Sequence, residues 1–267
     1  MDALNRPVFL DLNPVDGPPP GFNKVELKMD GQWGQLKIEN GSLEIWSRHG
    51  KLKLQTRVPK APDMIVHGEF LYGSNWAIQR GMAGQFYAFD IISYRDTDIS
   101  DKTLKYRRSV LTQYLSLYSK AYGLPEWLRV LPQYPVSDWR DLWDFKVLNE
   151  GYEGLIFKHS DAPFGEQWAR MKRVFTVDYV CVGVNISEAP KYAGQVASIK
   201  AGLYIDGELK HVGNVHGLTD AQRLEFLDGY EGKVFEATGR GLFTTGALRH
   251  PNFVRWHSDK EAGQCTL

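Results

Sequence analysis

A lysine, a carboxylate and a glycine lie close together in the run Lys28-Met29-Asp30-Gly31, at the end of an apolar segment. A lysine amine can attack phosphorus only in its neutral form, so such a site must lower its pKa by partial burial or by nearby cations. A glycine leaves room for a ligand close to the backbone. Surface hairpin turns carry the same residues. The run therefore predicts a nucleophilic lysine only if other parts of the chain agree.

The residues around this run have the character of an antiparallel sheet. Short apolar runs broken by Gly or Asn predict strands over residues 25–28, 35–39, 43–47, 64–71, 85–92 and 154–159. Asn40-Gly41 indicates a hairpin between the second and third of them. Residues 103–122 favour one or two helices that end near Gly123, and Ser137 is expected to cap a further helix.

The pattern changes after Val174 to short strands with turn signals, over residues 178–184, 196–205, 209–215 and 233–238, with a helix over residues 219–227. About 90 residues of this kind suit a small β-barrel such as an OB fold. We therefore expect an α+β chain with two domains, residues 1–176 and residues 177–267.

Composition excludes few functions. The 267 residues are 43% hydrophobic, enough for a substantial core, and the formal net charge is zero. No run is long and apolar enough to span a membrane, and residues 1–20 lack the apolar core of a signal peptide, so we expect a cytoplasmic protein. Phosphate binding would have to rely on local clusters, for which a solvated face is the alternative. The candidate clusters are Arg170, Lys172 and Arg173, and Lys102, Lys105, Arg107 and Arg108.

Seven motifs in order along the chain resemble those of the ATP-dependent polynucleotide ligases, specifically the minimal DNA ligases with a nucleotidyltransferase domain and an OB domain. The first six motifs are Glu26-Leu27-Lys28-Met29-Asp30-Gly31, Ser47-Arg48-His49-Gly50, His67-Gly68-Glu69-Phe70, Tyr87-Ala88-Phe89-Asp90, Glu153-Gly154-Leu155-Ile156-Phe157-Lys158 and Trp168-Ala169-Arg170-Met171-Lys172. The seventh is the run from Arg249 to Lys260.

The resemblance implies a role for each motif. It implies catalytic roles for Lys28 as nucleophile and for Asp30, Lys172, Arg255, Asp259 and Lys260. It implies that ATP is bound by Glu26, Lys28, Arg48, Glu69, Phe89, Lys158, Arg170 and Lys172, with Glu26 reaching the adenine amino group, Phe89 stacking on adenine and Glu69 binding the ribose. It implies that Glu153 and Glu69 bind Mg²⁺.

Several of these residues also have a physical interpretation of their own. Lys158, Arg170 and Lys172 can neutralise phosphate oxygens during adenylyl transfer. Glu153 precedes an apolar strand, where it can hold a hard cation or be a satisfied strand-end carboxylate. Phe89 can stack on a base or pack in the core. We interpret Asp90 as a local structural anchor.

Three positions depart from the family pattern. Trp33 stands where an arginine is usual, which leaves the binding of the nick phosphate open, and it can stack on a sugar or base or simply pack. His257 also replaces an arginine, and its charge depends on pH. Arg170 replaces a lysine and conserves the charge.

The resemblance implies a monomeric enzyme that seals nicked duplex DNA in three steps with ATP and Mg²⁺. Lysyl-AMP forms, AMP moves to a 5′-phosphate, and a 3′-hydroxyl displaces AMP. Residues Arg255, Asp259 and Lys260 are expected to reach the site when the OB domain closes. The alternatives are an RNA ligase, an mRNA capping guanylyltransferase that uses GTP, and a non-catalytic nucleic-acid-binding protein. With only 27 residues before Lys28, we expect no N-terminal DNA-binding domain and salt-sensitive nick binding.

Overall fold

The computed structural model describes residues 7–14 and 17–267, so parts of the segment examined for a signal peptide lie outside the described residues. The chain divides into two compact units, Met1–Lys172 and Arg173–Leu267. Helices and mostly antiparallel sheets confirm the predicted mixed α and β character. Among the described residues, no helix has the length and apolar character needed to cross a bilayer.

The first unit contains twelve of the strands. They are β1 Phe9–Leu12, β2 Lys24–Lys28, β3 Gln32–Glu39, β4 Ser42–Ser47, β5 Leu52–Arg57, β6 Met64–Phe70, β7 Phe86–Tyr94, β8 Thr97–Asp98, β9 Leu128–Val130, β10 Gln133–Pro135, β11 Gly154–Lys158 and β12 Trp168–Lys172. Its α-helices are α1 Asn75–Gln79, α2 Leu104–Thr112, α3 Ser119–Tyr122 and α4 Trp139–Asp141. A 3-10 turn covers Val136–Asp138, and wider π-helical turns cover Gln113–Leu117 and Leu142–Asn149.

Two sheets build the first unit. One has the strand order β1-β12-β11-β2-β10, with β1 parallel to β12 and the other neighbours antiparallel. The other runs β5-β4-β3-β6-β7-β8, with β9 beside β7. Apolar side chains of β3, β4, β6 and β7 pack with α2 in one core, and those of β2, β11 and β12 form a second core. The lysine motif connects the two sheets. The chain leaves the sheet that contains β2 at Lys28 and joins the other sheet at Gln32, the first residue of β3.

Local signals explain most element ends of this unit. Asn40 and Gly41 both have positive φ, at 50° and 72°, and form the turn between β3 and β4 as predicted. Thr103 caps α2 by accepting a hydrogen bond from the Tyr106 amide, and Gly123 ends α3 in the left-handed region. The expected Ser137 cap is wrong, because Ser137 lies inside a 3-10 turn and its hydroxyl donates to Asp138.

The second unit contains one sheet. Its elements are β13 Phe175–Ile186, β14 Val196–Ile205, β15 Glu208–Val215, α5 Asp220–Glu225, β16 Val234–Gly239, β17 Asn252–Trp256 and the 3-10 turns Pro190–Tyr192 and Ala262–Gln264. The strand order is β15-β14-β13-β16-β17, antiparallel throughout. Thr219 and Gln222 form the capping box that starts α5, as predicted. The functional division at residue 176 stays a prediction, and that position lies within β13.

Candidate active site

The lysine of the first motif lies at the end of a strand, beside two other strand ends. Gly154, the first residue of β11, pairs with Lys28 at the end of β2 and with Lys172 at the end of β12. Glu153 directly precedes Gly154. The sheet register therefore brings together three side chains that are far apart in the sequence.

Glu153 lies between the two lysines and forms an ion pair with each. Its Oε2 atom is 2.5 Å from Lys28 Nζ, and its Oε1 atom is 3.3 Å from Lys172 Nζ. Burial alone would raise the pKa of Glu153, but these two ammonium groups hold the pKa below its usual value. We call these three residues the lysine cluster. Its carboxylate is charged at neutral pH and fixes the two amines relative to each other.

Gly154 is required at the centre of this arrangement. A Cβ atom there would lie 2.0 Å from the carbonyl oxygen of Met171 and 2.9 Å from Cα of Lys172. Both neighbours are backbone atoms of a paired strand, so neither can move without separating β11 from β12. The close approach of backbone to backbone thus sets the spacing of the lysine cluster.

Glu69 on β6 is electrostatically coupled to the lysine cluster. Burial raises the pKa of Glu69 to about 7; the Lys28 ammonium opposes this rise, and the Glu153 carboxylate adds to it. The Gly31 amide donates a hydrogen bond to Glu69. A Cβ atom on Gly31 would lie 2.8 Å from the Phe70 carbonyl oxygen, so the glycine permits this contact between motifs. The Asp30 carboxylate also raises the pKa of Glu69, by less than the Glu153 carboxylate does.

A second group of predicted residues lies further along the same strands. Lys158, at the far end of β11, is four residues from Gly154, which corresponds to about 13 Å along a strand. Its Nζ atom is 2.7 Å from Glu26 Oε2, and both side chains are buried. Burial lowers the pKa of Lys158, while Glu26 opposes that change. Lys158 is therefore separated from the lysine cluster, although the sequence suggested a phosphate-binding role.

Both oxygens of Glu26 have partners in the first unit. Gln133 on β10 donates to Oε1 at 2.9 Å, and an Arg108 guanidinium nitrogen lies 3.9 Å from the same oxygen. The Lys158 ammonium lies 3.8 Å from the ring centre of Trp168 and 5.0 Å from that of Phe89. Glu26 and these five side chains form a fixed polar and aromatic environment, which we call the Glu26 network.

The two rings of this network contact each other directly. Phe89 and Trp168 are T-shaped, with ring centres 5.8 Å apart. Phe89 is only partly buried, so packing and base stacking are both compatible with its position. Its neighbour Asp90 is fully buried and forms a two-point ion pair with Arg107, at 2.8 and 2.9 Å. This pair gives Asp90 the anchoring contacts of a structural residue.

Two other predicted nucleotide-binding residues make contacts away from Lys28. Arg170 Nε and Nη2 donate to the two oxygens of Asp11 on β1, at 2.5 and 2.9 Å. Arg48 is exposed in the turn after β4, and its Nε donates to His49 Nε2 at 2.8 Å. Both residues stay candidates for ATP binding from the motifs, and Arg170 also interacts electrostatically with Glu153 of the lysine cluster.

Trp33 packs against its own unit. It pairs across strands with Glu69, and its ring lies 5.0 Å from that of His67, edge to face. The indole Nε1 is buried and has no hydrogen-bond partner among the described residues, and the same holds for His67 Nδ1. Of the two options left open from the sequence, the observed contacts are those of packing.

The terminal motif forms its own ion-pair cluster in the second unit. His257 Nε2 lies 2.9 Å from Asp178 Oδ1, and Arg255 Nη2 is 3.0 Å from Glu236 Oε2. Lys260 also binds Asp178. Burial would raise the pKa of Asp178, but Lys260 and His257 lower it below its usual value. We call these five residues the terminal cluster. Asp259 is close to it, with Oδ1 3.5 Å from His257 Nδ1.

Sequence reasoning missed several of these partners. Arg107 was placed in a candidate phosphate-binding cluster, with a solvated face as the alternative, yet it is completely buried. Its spacing from Leu104 and Leu111 places it on the apolar face of α2, so helical periodicity could have identified it. Gln133 and Asp178 carry no comparable signal, because each meets its partner only through strand pairing.

Part of the chain matches a known enzyme family. Residues 74–175 match the family described as ATP dependent DNA ligase domain, which confirms the predicted resemblance over that part of the chain. A DNA ligase of Aeropyrum pernix is 26% identical over 224 residues. That alignment covers 67% of this chain and 36% of the relative, so this chain spans about a third of the relative's length.

Solved structures of ligases have the same fold. A structure from a structure-function analysis of Lig E DNA ligases, concerned with DNA binding by a minimal scaffold, aligns with a TM-score of 0.70 and 16% identity. The match covers 95% of this chain and all of that chain. A structure of Pmar-Lig aligns with a TM-score of 0.65 and 17% identity, over 94% of this chain and 67% of that one.

Proposed function

We propose that this protein is an ATP-dependent DNA ligase that seals nicks in duplex DNA. Lys28 attacks the α-phosphorus of ATP and releases pyrophosphate, AMP moves from Lys28 to the 5′-phosphate of a nick, and the 3′-hydroxyl displaces AMP. The observation that carries the proposal is the lysine cluster, in which a partly buried amine, a carboxylate and a second amine meet at three paired strand ends. The ligase-domain match over residues 74–175 supports the same activity.

In the first step, the residues of the lysine cluster have different tasks. Glu153 holds Lys28 in place through an ion pair, and Lys28 releases its proton to solvent before attack. Lys172 supplies a positive charge beside Lys28, where negative charge grows on the α-phosphate oxygens. Because the strand register fixes all three residues, little reorganisation is needed when ATP binds. Asp30 adds a carboxylate in the turn that follows Lys28.

Mg²⁺ fits the donors present near Lys28. Glu69 and Glu153 are electrostatically coupled carboxylates, and carboxylate oxygens are the protein ligands that Mg²⁺ prefers. We propose that these two residues hold the metal ion, which supplies charge neutralisation on the phosphate oxygens. The raised pKa of Glu69 is consistent with a place that favours an added positive charge.

The adenosine part of ATP is assigned to the Glu26 network. Phe89 offers an aromatic face, and Glu26 lies on the same strand as Lys28, two residues before it. Arg48, Arg170 and Lys158 stay proposed ATP-binding residues. Arg170 can reach a phosphate only if its ion pair with Asp11 breaks. Lys158 would contribute at the adenine, by holding the Glu26 carboxylate in position.

We also propose that residues 177–267 form an OB domain that brings Arg255, Asp259 and Lys260 to the nucleotide. A parallel bridge between His216 and Asn252 supports this fold, because it joins the edge after β15 to the edge at β17. The Phe253 amide donates to the His216 carbonyl there at 2.8 Å. The protein is proposed to act as a cytoplasmic monomer on nicked duplex DNA.

The test is covalent labelling with ATP radiolabelled at the α-phosphate, followed by addition of nicked duplex. The wild-type protein is expected to take up label, and nicked DNA is expected to release it as AMP while the strand is sealed. Lys28→Ala is expected to take up none, because no other amine replaces its Nζ. Lys37→Ala, a change of an exposed lysine on β3, is the matched control and should label normally.

Three results would contradict the proposal. Label on Lys28→Ala would place the nucleophile elsewhere, and labelling by GTP but not ATP would indicate capping chemistry. Efficient sealing of RNA nicks but not DNA nicks would make the protein an RNA ligase.

A further inference from the structure

A small hairpin projects between β16 and β17 of the second unit, over residues 240–249. The amide of Arg240 donates to the carbonyl of Arg249 at 2.9 Å, and the amide of Arg249 donates to Gly241 at 2.8 Å. Nearer the tip, the Phe243 amide donates to Ala247 at 2.9 Å. We call residues 240–249 the arginine-flanked hairpin. Its backbone is tied across at three points, so it is an ordered projection.

The tip of this hairpin exposes two large apolar side chains next to each other. Leu242 is 48% exposed and Phe243 is 53% exposed, whereas Leu248 on the opposite arm is buried. Neither side chain belongs to the buried core of the second unit. Clustered apolar exposure on a surface commonly marks a contact with another molecule.

Contacts beneath the tip hold it in place. The hydroxyl of Tyr179 on β13 donates to the Gly246 carbonyl at 2.6 Å. Burial raises the pKa of Tyr179 to about 12, so this hydroxyl stays a donor at physiological pH. Gly246 has a φ of 81°, and a Cβ atom there would lie 2.4 Å from Leu203 Cδ1. A fixed loop loses little conformational entropy when it binds, so its exposed side chains can contribute fully to affinity.

The charged residues of the hairpin itself are of one sign. Residues 240–249 include two arginines but no aspartate or glutamate, although the whole chain has a formal charge of zero. Arg255 is paired with Glu236 in the terminal cluster. Arg240 and Arg249 are exposed on the two arms of the hairpin, one on each side of its base. The surface therefore combines an apolar tip with a positively charged base.

We propose that the arginine-flanked hairpin binds the groove of duplex DNA, with Leu242 and Phe243 against sugars and base edges and with Arg240 and Arg249 on the flanking phosphates. The positive base matches the phosphate backbone, and the apolar tip matches the sugars and bases between the two strands. This inference rests on the proposed function, since it concerns the same DNA substrate. It adds a contact surface that none of the seven motifs assigned, apart from Arg249 at the start of the last one.

The two kinds of contact predict different effects on binding. Fluorescence anisotropy with nicked duplex, over a salt series from about 50 to 200 mM, separates them. Phe243→Ala is expected to weaken binding by about 5- to 150-fold with no change of the salt slope, because it removes an apolar contact. Arg240→Gln is expected to reduce the slope of log K against log salt by about 1, because it removes one phosphate contact.

Leu224→Ala is the matched control. Leu224 lies on α5 of the same unit and is 58% exposed, so its loss removes a similar side chain from another surface. Binding by this variant should equal that of the wild type. Thermal melting of each variant checks that the fold is intact.

Labelling of the wild-type protein by ATP, measured in parallel, tests the proposed function separately. If the wild type labels and seals, but Phe243→Ala and Arg240→Gln bind nicked duplex with wild-type affinity and slope, the hairpin proposal is wrong. It is also wrong if the wild type labels but has no affinity for duplex. Concentration-dependent dimers that Phe243→Ala abolishes, without any loss of DNA binding, would assign the tip to a second copy of the chain instead.

Discussion

The lysine cluster and the terminal cluster both combine basic residues with carboxylates, but they differ in burial. In the lysine cluster, the side chains of Lys28, Glu153 and Lys172 are only 13 to 19% exposed, and each residue lies at or next to the end of a paired strand. In the terminal cluster, Arg255 is 64% exposed and Lys260 is 40% exposed, whereas the side chains of Asp178, Glu236 and His257 are 27%, 19% and 4% exposed. The lysine cluster is thus partly buried throughout, while the terminal cluster has a partly buried centre and two cations that reach into solvent.

This difference indicates what each cluster can do. Charges in a partly buried and fixed arrangement act strongly on a transition state, because no solvent has to reorganise around them. Exposed ion pairs contribute little to stability and are easily broken. We therefore expect the lysine cluster to be preorganised for chemistry. We expect Arg255 and Lys260 of the terminal cluster to give up their present ion pairs when they act on the nucleotide as proposed. Four predictions test the contrast.

The largest effect is expected at the centre of the lysine cluster. Glu153→Gln removes the charge that orients Lys28 and Lys172 and one proposed magnesium ligand, so the rate of lysyl-AMP formation should fall by about 10²- to 10³-fold. Single-turnover labelling with ATP measures this rate. Glu150→Gln, which changes an exposed glutamate three residues earlier, should label at the wild-type rate. A normal rate of lysyl-AMP formation for Glu153→Gln would show that the Glu153 charge is not needed to orient the two lysines.

A buried ion pair outside the site should affect stability instead. Arg107→Ala leaves the Asp90 carboxylate buried without its partner, and the free energy of unfolding should fall by about 3 to 5 kcal/mol. Urea denaturation at neutral pH measures the change. Lys105→Ala, an exposed change on the same helix, should alter the free energy by less than about 0.5 kcal/mol. If the two changes lowered the free energy of unfolding equally, the buried ion pair of Arg107 would contribute no more to stability than the exposed Lys105 does.

His67 should make the stability of the protein depend on pH. Burial lowers the pKa of His67 to about 4 from an unfolded value of 6.5, although Asp90 opposes this. Below pH 6.5 the unfolded chain binds a proton that the folded protein rejects, so stability is lost as the pH falls toward 4. The loss attributable to His67 should be about 2 kcal/mol at about pH 5 relative to about pH 7.5.

Urea denaturation of the wild type and His67→Gln at both pH values isolates this contribution. The glutamine variant should lose less stability on acidification than the wild type, by the amount given above. If the two proteins respond equally to acid, His67 is protonated in the folded state and the inferred pKa is wrong.

The smallest effect is expected in the terminal cluster. Asp178→Asn removes the charge shared by Lys260 and His257 but keeps an oxygen for the contact with His257, and Lys260 is 40% exposed, so the urea midpoint should shift only slightly. Any shift should disappear in high salt, because exposed charges are screened. A large shift that persists at high salt would contradict the contrast between the two clusters.

The sequence predicted the parts of this structure that depend on local signals. The turn at Asn40-Gly41 and the helices that begin near residues 103 and 219 depend on contacts with near neighbours, and these predictions are confirmed. The predicted resemblance is confirmed by the ligase-domain match over residues 74–175, whereas the role of the lysine motif, which precedes that range, stays a prediction. Residue types and short spacings were sufficient for these features.

Features that depend on strand pairing could not be read in this way. The partner of Lys158 is Glu26, which is 132 positions earlier and meets it only because β2 pairs with β11. The pairing of Arg170 with Asp11 requires the short strand β1, which the sequence did not reveal. The π-helical turns after α2 and α4 depart from regular helical periodicity, so the apolar pattern predicted only their helical character.

The absence of a side chain at Gly154 has a consequence for how the protein can change over generations. Substitutions around the lysine cluster can alter its charges while the separation between β2, β11 and β12 stays constant, since only backbone atoms meet there. Position 154 itself accepts no such substitution without parting two strands. The spacing between the backbones of Lys28 and Lys172 is thus set by strand pairing. Substitutions of surrounding side chains can therefore change the chemistry of the site while this spacing is kept.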